Sequence, residues 1–362
     1  MPSEQETKHQ NNQIQCPKCR SKILVKKGIR KNKLQVLQQF QCKNCKYIFT
    51  QNKSKNTTYS ITAILKAISK YNLGHTLHQT KEKLNINATL PAISSWLNKY
   101  KDVCTFERLR NEAIKLYQPK NIIFKKSLQH IQPYIFKYHK AKLDILLKEN
   151  PKFASLKDYI EKIDSRDFPH HIFTYDKSGP DATIDKNKLN NNANEQRASQ
   201  IKFQHLKINH IQKQNQANEL TKLALQLATT NKQRHESIQN FMLINDSTTI
   251  AVEVPVYLTN WDAGYYRNQR GFIFPLNNYK TPITGHIDIL QIRNGLIHIL
   301  DYKPEADKIQ PIEQLTIYAL ALSRKLNLPL YYLKCAWFDE NDYYEFFPLH
   351  GVYIKQGKDL NS

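Results

Sequence analysis

The sequence predicts a multidomain chain in which a small metal-held module, a short helical domain and a helical linker lead into a C-terminal α/β domain with a central mixed sheet. Three observations carry this expectation. Two Cys-x-x-Cys pairs, Cys16/Cys19 and Cys42/Cys45, frame a stretch with too little apolar sequence to build a core. Residues 59–100 place apolar side chains at helical spacing. From Thr249 onward the pattern changes to short β runs interrupted by one helical segment, the mark of an α/β unit.

Charge separates these parts. Of 362 residues, 54 are Lys or Arg and 31 are Asp or Glu, for a formal net charge of +23. Residues 1–110 hold 21 basic and 5 acidic side chains (+16), residues 111–245 hold 22 and 13 (+9), and residues 246–362 hold 11 and 13 (−2). A basic excess of this size at one end suits a polyanion, with nucleic acid ahead of a membrane surface, because no Lys-rich amphipathic helix with an aromatic face is present. An AT-rich codon bias would also enrich Lys, but it does not account for the acidic end. The first fifteen residues lack the apolar stretch of a signal peptide, and no run reaches the roughly 18 apolar residues of a membrane span. A cytoplasmic, DNA-associated protein is therefore expected, without membrane insertion.

Residues 1–15 are polar and read as a disordered tail. In residues 16–50, two Cys-x-x-Cys knuckles separated by twenty-two residues turn four thiolates toward one point. That tetrahedral sulfur shell suits one Zn²⁺ ion, and with no open position the zinc is structural; four unrelated free thiols are the alternative. Over residues 59–104, Ile61, Ile64, Leu65 and Ile68 mark a first helix closed by Asn72-Leu73-Gly74, Leu77 and Leu84 a second, and Ile93, Trp96, Leu97 and Tyr100 a third that opens at Thr89 with Pro91. Residues 105–194 read mainly as a helical linker broken by Pro119, Pro133 and Pro151, ending in an Asn-rich loop that occupies most of 176–200. A long helix is expected near 197–243, opening the C-terminal domain of residues 195–362.

The sharpest geometry follows that helix. Asn294-Gly295 lies between two β-branched runs, the strongest short signal for a two-residue hairpin turn. The register set by this turn places Leu290 across from Ile299, Ile292 across from Ile297, and Asp288 across from Asp301, with Cβ atoms ~5 Å apart. Period-2 alternation then brings Lys303 to the face of Asp301. Two acids flanked by aliphatic side chains repel each other unless a cation neutralises them, and a hard divalent ion such as Mg²⁺ or Mn²⁺ takes oxygen ligands. Lys303 can hold or deprotonate an attacking water, or stabilise charge on a phosphate. A merely salt-bridged hairpin is the competing reading.

Two resemblances give these patterns a function. Cys16-Pro-x-Cys19, Val25-Lys-Lys-Gly28-Ile-Arg30-Lys and Phe40-x-Cys42-x-x-Cys45-x-x-x-Phe49 resemble the zinc ribbon that opens many insertion-sequence transposases. In that family a helix-turn-helix follows, and residues 59–104 fit its place with 89–100 as recognition helix; a plain three-helix spacer is the alternative. The catalytic domain of those transposases is not evident. Gly285-x-x-Asp288, Asp301-x-Lys303 and Gln314-x-x-x-Tyr318 resemble the PD-(D/E)XK nuclease superfamily, and specifically its RecB-like branch. That resemblance implies a restriction-endonuclease-like fold. It also implies metal binding by His235, Asp288, Asp301 and the Tyr302 carbonyl, service of the nucleophilic water by Lys303, and orientation of Lys303 or the DNA backbone by Gln314 and Tyr318. Outside that context His235 would be a surface histidine, and Gln314 and Tyr318 a helix edge. Glu253 lies where related nucleases often have a strand acid, and could support the ligands or form a salt bridge.

The combined expectation is a DNA-binding, divalent-metal-dependent nuclease that hydrolyses DNA phosphodiester bonds and is targeted by its N-terminal module. The alternative is a catalytically inactive DNA-binding regulator or mobile-element accessory protein. No nucleotide cofactor is expected, because the sequence has no GxxxxGK[ST] loop. An iron–sulfur cluster is not implied either, because Cys335 is the only cysteine of the C-terminal domain.

Overall fold

A computed structural model describes residues 15–31, 36–50, 59–130, 133–173, 197–201, 210–272 and 282–352. Residues 1–14 of the expected tail and 176–196 of the expected Asn-rich loop lie outside that set. Among the described residues, no helix is long and apolar enough to cross a membrane.

The cysteine segment forms a three-stranded antiparallel sheet of β1 (Leu24–Lys31), β2 (Val36–Cys42) and β3 (Ile48–Thr50). The β1–β2 register slips between Lys26 and Gly28, where Gly28 takes φ +126°, a conformation open to glycine. Three helices follow: α1 (Ile61–Asn72), α2 (Leu77–Leu84) and α3 (Leu90–Tyr100). Each start is capped by a hydroxyl: Ser60 accepts from the Ala63 N–H, Thr76 from Gln79 and Thr89 from Ala92. Gly74, at φ +95°, closes α1 as the sequence suggests.

The expected helical linker is a different structure. Helices α4 (Glu107–Leu116), α5 (Lys140–Glu149) and α6 (Ala154–Lys162) share residues 105–173 with two strands, β4 (Ile123–Gln129) and β5 (Pro133–His139). These strands pair as a hairpin, and β5 then joins the main sheet through Lys137 opposite Val252 and Tyr138 opposite Ala251. Leu128, Phe136 and Tyr138 are buried, so the hairpin is a core element that interleaved lysines disguise. The single long helix expected near 197–243 is also replaced. A short edge strand β6 (Ile211–Gln212) precedes α7 (Gln216–Ala224), and a polar break at 228–231 separates α7 from α8 (Arg234–Asn245).

The remaining elements are β7 (Thr249–Leu258), α9 (Asn260–Arg270), β8 (Ile283–Arg293), β9 (Leu296–Tyr302), α10 (Ile312–Leu326), β10 (Leu333–Phe338) and β11 (Tyr343–Phe346). They complete an eight-stranded sheet in the order β4-β5-β7-β8-β9-β10-β11-β6. Among the described strands β9 and β10 pair in parallel, joined through α10, and the others antiparallel, so the sheet is mixed as expected and agrees with a restriction-endonuclease-like fold.

Helices cover both faces of this sheet. One core joins Leu315, Ala319 and Leu322 of α10 to Ile299, Cys335 and Trp337, and extends to α5 and α6. The other joins Ile238, Phe241 and Met242 of α8 to Val252, Leu300, Tyr302 and Phe338, and includes Ile64, Leu65 and Ile68 of α1. The helical domain is therefore seated on the sheet domain through α8. Buried Asn245 fixes the contact by accepting from Asn72 Nδ2 and donating to Ser69 Oγ, each at 2.9 Å. Breaking such a buried pair leaves an unsatisfied amide, at a cost of about 1–3 kcal/mol.

Candidate metal centres and active site

The two knuckles of the cysteine module have the same local geometry. Arg20 N–H returns to Cys16 O and Lys46 N–H to Cys42 O, with Arg20 and Lys46 at φ +58° and +57°. These turns bring Cys16 Sγ to 3.5 Å from Cys45 Sγ and Cys19 Sγ to 3.5 Å from Cys42 Sγ, with all four sulfurs within 4.8 Å of one another. The Cys45 backbone amide, with further donors, holds the Cys42 thiol down to about 6, so a thiolate is available near neutral pH. Four sulfur donors at this spacing could hold Zn²⁺.

The acids of the C-terminal domain lie where the central strands bend. The β8–β9 ladder has the register set by Asn294-Gly295, both at positive φ (+52° and +69°), with Leu290 opposite Ile299 and Ile292 opposite Ile297. Its last backbone pair is Ile289–Leu300, and one step beyond it the Tyr302 N–H turns to Asp288 Oδ2 at 3.3 Å. A carboxylate thus replaces a ladder acceptor where the strands part. On the other side of β8, Glu253 adopts φ +54°, and Val252 and Val254 on either side of it join different cores. The β7–β8 register passes Glu253 beside Asp288. Glu253, Asp288 and Asp301 therefore form a row across β7, β8 and β9.

The electrostatics of this row are unfavourable without a counter-ion. Burial, then the charges of Asp301 and Glu253, push the Asp288 carboxyl well above the ordinary carboxylate range. Burial raises Glu253 too, although Gln239 Nε2 donates to its Oε1 at 2.6 Å and the Lys137 charge opposes the shift. Asp301 is 3% exposed and lies 2.7 Å from Lys303 Nζ. Burial works against the Lys303 ammonium, but Asp301 and Asp288 outweigh it and raise its pKa. Lys303 is a cation at neutral pH, suited to holding a water or phosphate oxygen and unsuited to taking a proton.

His235 enters from the first turn of α8, with Nε2 3.1 Å from the Tyr302 carbonyl and its ring edge-on to the Tyr302 ring. Burial lowers its pKa and favours the neutral imidazole, the form a metal ligand needs. From α10, Gln314 Nε2 donates to the Tyr318 hydroxyl at 2.9 Å. The Tyr318 ring lies on β8 at Gly285, where an added Cβ would sit 2.2 Å from Tyr318 Cε1. Gly285 and Tyr318 are thus one packing unit, and the glycine is what admits the ring.

The structure links His235 and Asp288 through the carbonyl and N–H of Tyr302, pairs Asp301 with Lys303, and pairs Gln314 with Tyr318; among the described residues the donor atoms of His235, Asp288 and Asp301 do not all lie within 4.8 Å of one another. It adds two side chains that the sequence reading did not single out. Gln239, one turn after His235 on α8, holds Glu253; its i+4 spacing is the one signal that could have found it. Lys137 of β5, 8% exposed, lies 3.3 Å from Glu236 and donates to Asn240 at 2.8 Å. No sequence pattern links it to this site.

Comparison with known proteins agrees with this geometry: residues 167–339 match the family model of the PD-(D/E)XK nuclease superfamily. No curated protein and no solved structure matches the chain.

Proposed function

We propose that the protein is a divalent-metal-dependent deoxyribonuclease of the RecB-like type, targeted to DNA by a transposase-like zinc ribbon and a helix-turn-helix. One observation carries the reading. Tyr302 touches His235 through its carbonyl and Asp288 through its N–H, while the next acid, Asp301, pairs with the Lys303 cation, all within the span that matches a nuclease superfamily. Oxygen donors with one imidazole suit Mg²⁺ or Mn²⁺, and the crowding of Asp288, Asp301 and Glu253 is the charge problem that such an ion relieves. When bound, that ion would polarise a phosphate oxygen and make a bound water more acidic.

The chain's own residues supply the rest. Asp288 and Asp301 would hold the ion from two strands, with His235 of α8 and the Tyr302 carbonyl of β9 as further ligands. Lys303 presents its ammonium to the attacking water or the scissile phosphate, where charge grows in the transition state. Gln314 and Tyr318, locked over Gly285, orient Lys303 or the phosphate backbone. In the N-terminal part, six lysines against two acids over residues 59–104 give an electrostatic grip. Ser95, Asn98 and Lys99, on the exposed side of α3, would be the side chains that read base edges.

The test is cleavage of labelled single- and double-stranded DNA with Mg²⁺ or Mn²⁺ by wild type, Asp301→Ala and Lys303→Ala. Wild type is expected to cut only with metal, and each substitution to slow it on the order of 10²–10³-fold or more. Intact DNA binding with no cleavage of any substrate would replace this reading with a catalytically inactive DNA-binding protein.

A further inference from the structure

Helix α9 presents aromatic surface that folding leaves in water. Trp261, in its first turn, is 90% exposed. Tyr265 follows on the same stripe one turn later, and the space over Gly264 between them is open, since an added Cβ would meet nothing within 4 Å. Tyr265 also walls a cleft of 420 Å³ between α9 and the C-terminal end of α10, lined in addition by Tyr266, Phe272, Arg270, Arg324 and Tyr331. Tyr331 is itself 52% exposed.

Two cations, Arg270 and Arg324, line the cleft. Residues 246–362 contain 11 basic side chains, and four of them, Arg267, Arg270, Arg324 and Lys325, belong to α9 and the end of α10. The one acid of α9, Asp262, is already engaged: it accepts from Thr259 and pairs with Arg324 at 3.3 Å and Lys325 at 2.8 Å. Rings and charges are interleaved. The Arg324 guanidinium lies 4.4 Å from the Tyr265 ring centre, and Arg270 Nε donates to the Tyr265 hydroxyl at 2.8 Å.

A ligand that satisfies both features has flat apolar faces and negative charge together, which describes nucleotides of an unpaired strand. An acidic peptide would answer the cations and leave the exposed rings unstacked. A duplex would hide its base faces from them. We infer that the cleft between α9 and the end of α10, with Trp261 at its margin, holds an unpaired stretch of nucleic-acid strand. The choice of ligand class rests on the nuclease reading above.

Binding tests this separately from cleavage. The full chain carrying Asp301→Asn, with or without Trp261→Ala and Tyr331→Ala together, is titrated into fluorescein-labelled oligo-dT, oligo-U and a duplex of equal length. The paired substitution should weaken binding of the preferred single strand by about tenfold or more and leave duplex binding within about twofold. The oligo-dT and oligo-U arms tell whether deoxyribose or ribose is the natural backbone. Arg270→Ala should reduce the same affinity and flatten its salt dependence. Both replaced rings are exposed, so an unchanged melting temperature is expected and confirms that the variant is folded. Single-strand affinity within about twofold of the parent, or an equal loss on duplex, overturns the inference. If the paired substitution costs single-strand binding while wild type cuts nothing, the nuclease reading fails and the strand site stands.

Discussion

The four cysteines and the carboxylate row of the central strands lie in opposite surroundings. Around the four cysteines there is almost no core: Ile23, Val25, Ile29 and Ile48 are 37–61% exposed, while Cys16 and Cys42 are buried. Around Asp288 and Asp301 the neighbours Ile287, Ile289, Leu290 and Leu300 are at most 1% exposed, inside an eight-stranded sheet covered on both faces. Where burial is missing, metal binding itself must supply the folding free energy. Where burial is ample, the fold can force three acids together and keep them short of a counter-ion. If both take metal as proposed, the first cluster is organised by its ion and the second is built in advance to receive one.

Replacing one thiol tests the first half of that contrast and should have the largest effect. Structural zinc contributes on the order of 10–16 kcal/mol in isolated modules. With Cys42→Ser, bound zinc should fall from one per chain to none, and amide protection in β1 to β3 should be lost. Protection in β7 to β9 and the main melting transition should stay in place. Hydrogen exchange read by mass spectrometry decides it: intact β1–β2 protection, or lost protection in the central sheet, would break the contrast.

The second half predicts a smaller effect of the opposite kind. Wild type should gain about 2.7 kcal/mol when Mn²⁺ is at a hundred times its Kd, and Asp288→Asn should gain almost nothing while remaining folded. The sign with pH follows from the raised Asp288 carboxyl. Between the ordinary range near 3.8 and the raised folded value, the native chain keeps a proton that the unfolded chain releases. Metal-free wild type therefore loses stability through this group as pH rises across that window, and Asp288→Asn removes that part of the slope. Thermal melts across pH, with and without Mn²⁺, measure both effects. A variant with an unchanged metal response would show that the acids do not form the receiving site.

The two regions were also unequally legible in the sequence. Cysteine spacing and the Asn294-Gly295 turn are local constraints: knuckles need thiols at fixed intervals, and a two-residue turn needs two residues that tolerate positive φ, after which the register follows. The Asp288–Asp301 neighbourhood could be worked out from that turn alone. The β4–β5 hairpin could not, because Lys125, Lys126 and Lys137 interrupt its apolar alternation. Its partner Val252 lies more than a hundred residues further along the chain. Glu253 could be singled out only through the family resemblance, since its left-handed backbone is imposed by the sheet around it and no local preference of glutamate signals it.

The smallest predicted effect probes how closely the sheet fixes the site in advance. At Gly285 a single methyl group would sit 2.2 Å from Tyr318 Cε1, inside contact distance, and the ring belongs to a helix packed on the strand. Gly285→Ala should therefore cost about 1–3 kcal/mol and displace Tyr318 from Gln314, slowing cleavage without touching an acid or the lysine. Adding Tyr318→Ala removes the obstructing ring. If the ring's position serves the reaction, the double variant, relieved of the clash but left with a cavity, should recover little of the lost rate. Melting and single-turnover cleavage measured on all three proteins separate the two roles. Full recovery of rate in the double variant would reduce Tyr318 to filler and leave the carboxylate row and Lys303 as the whole of the prebuilt site.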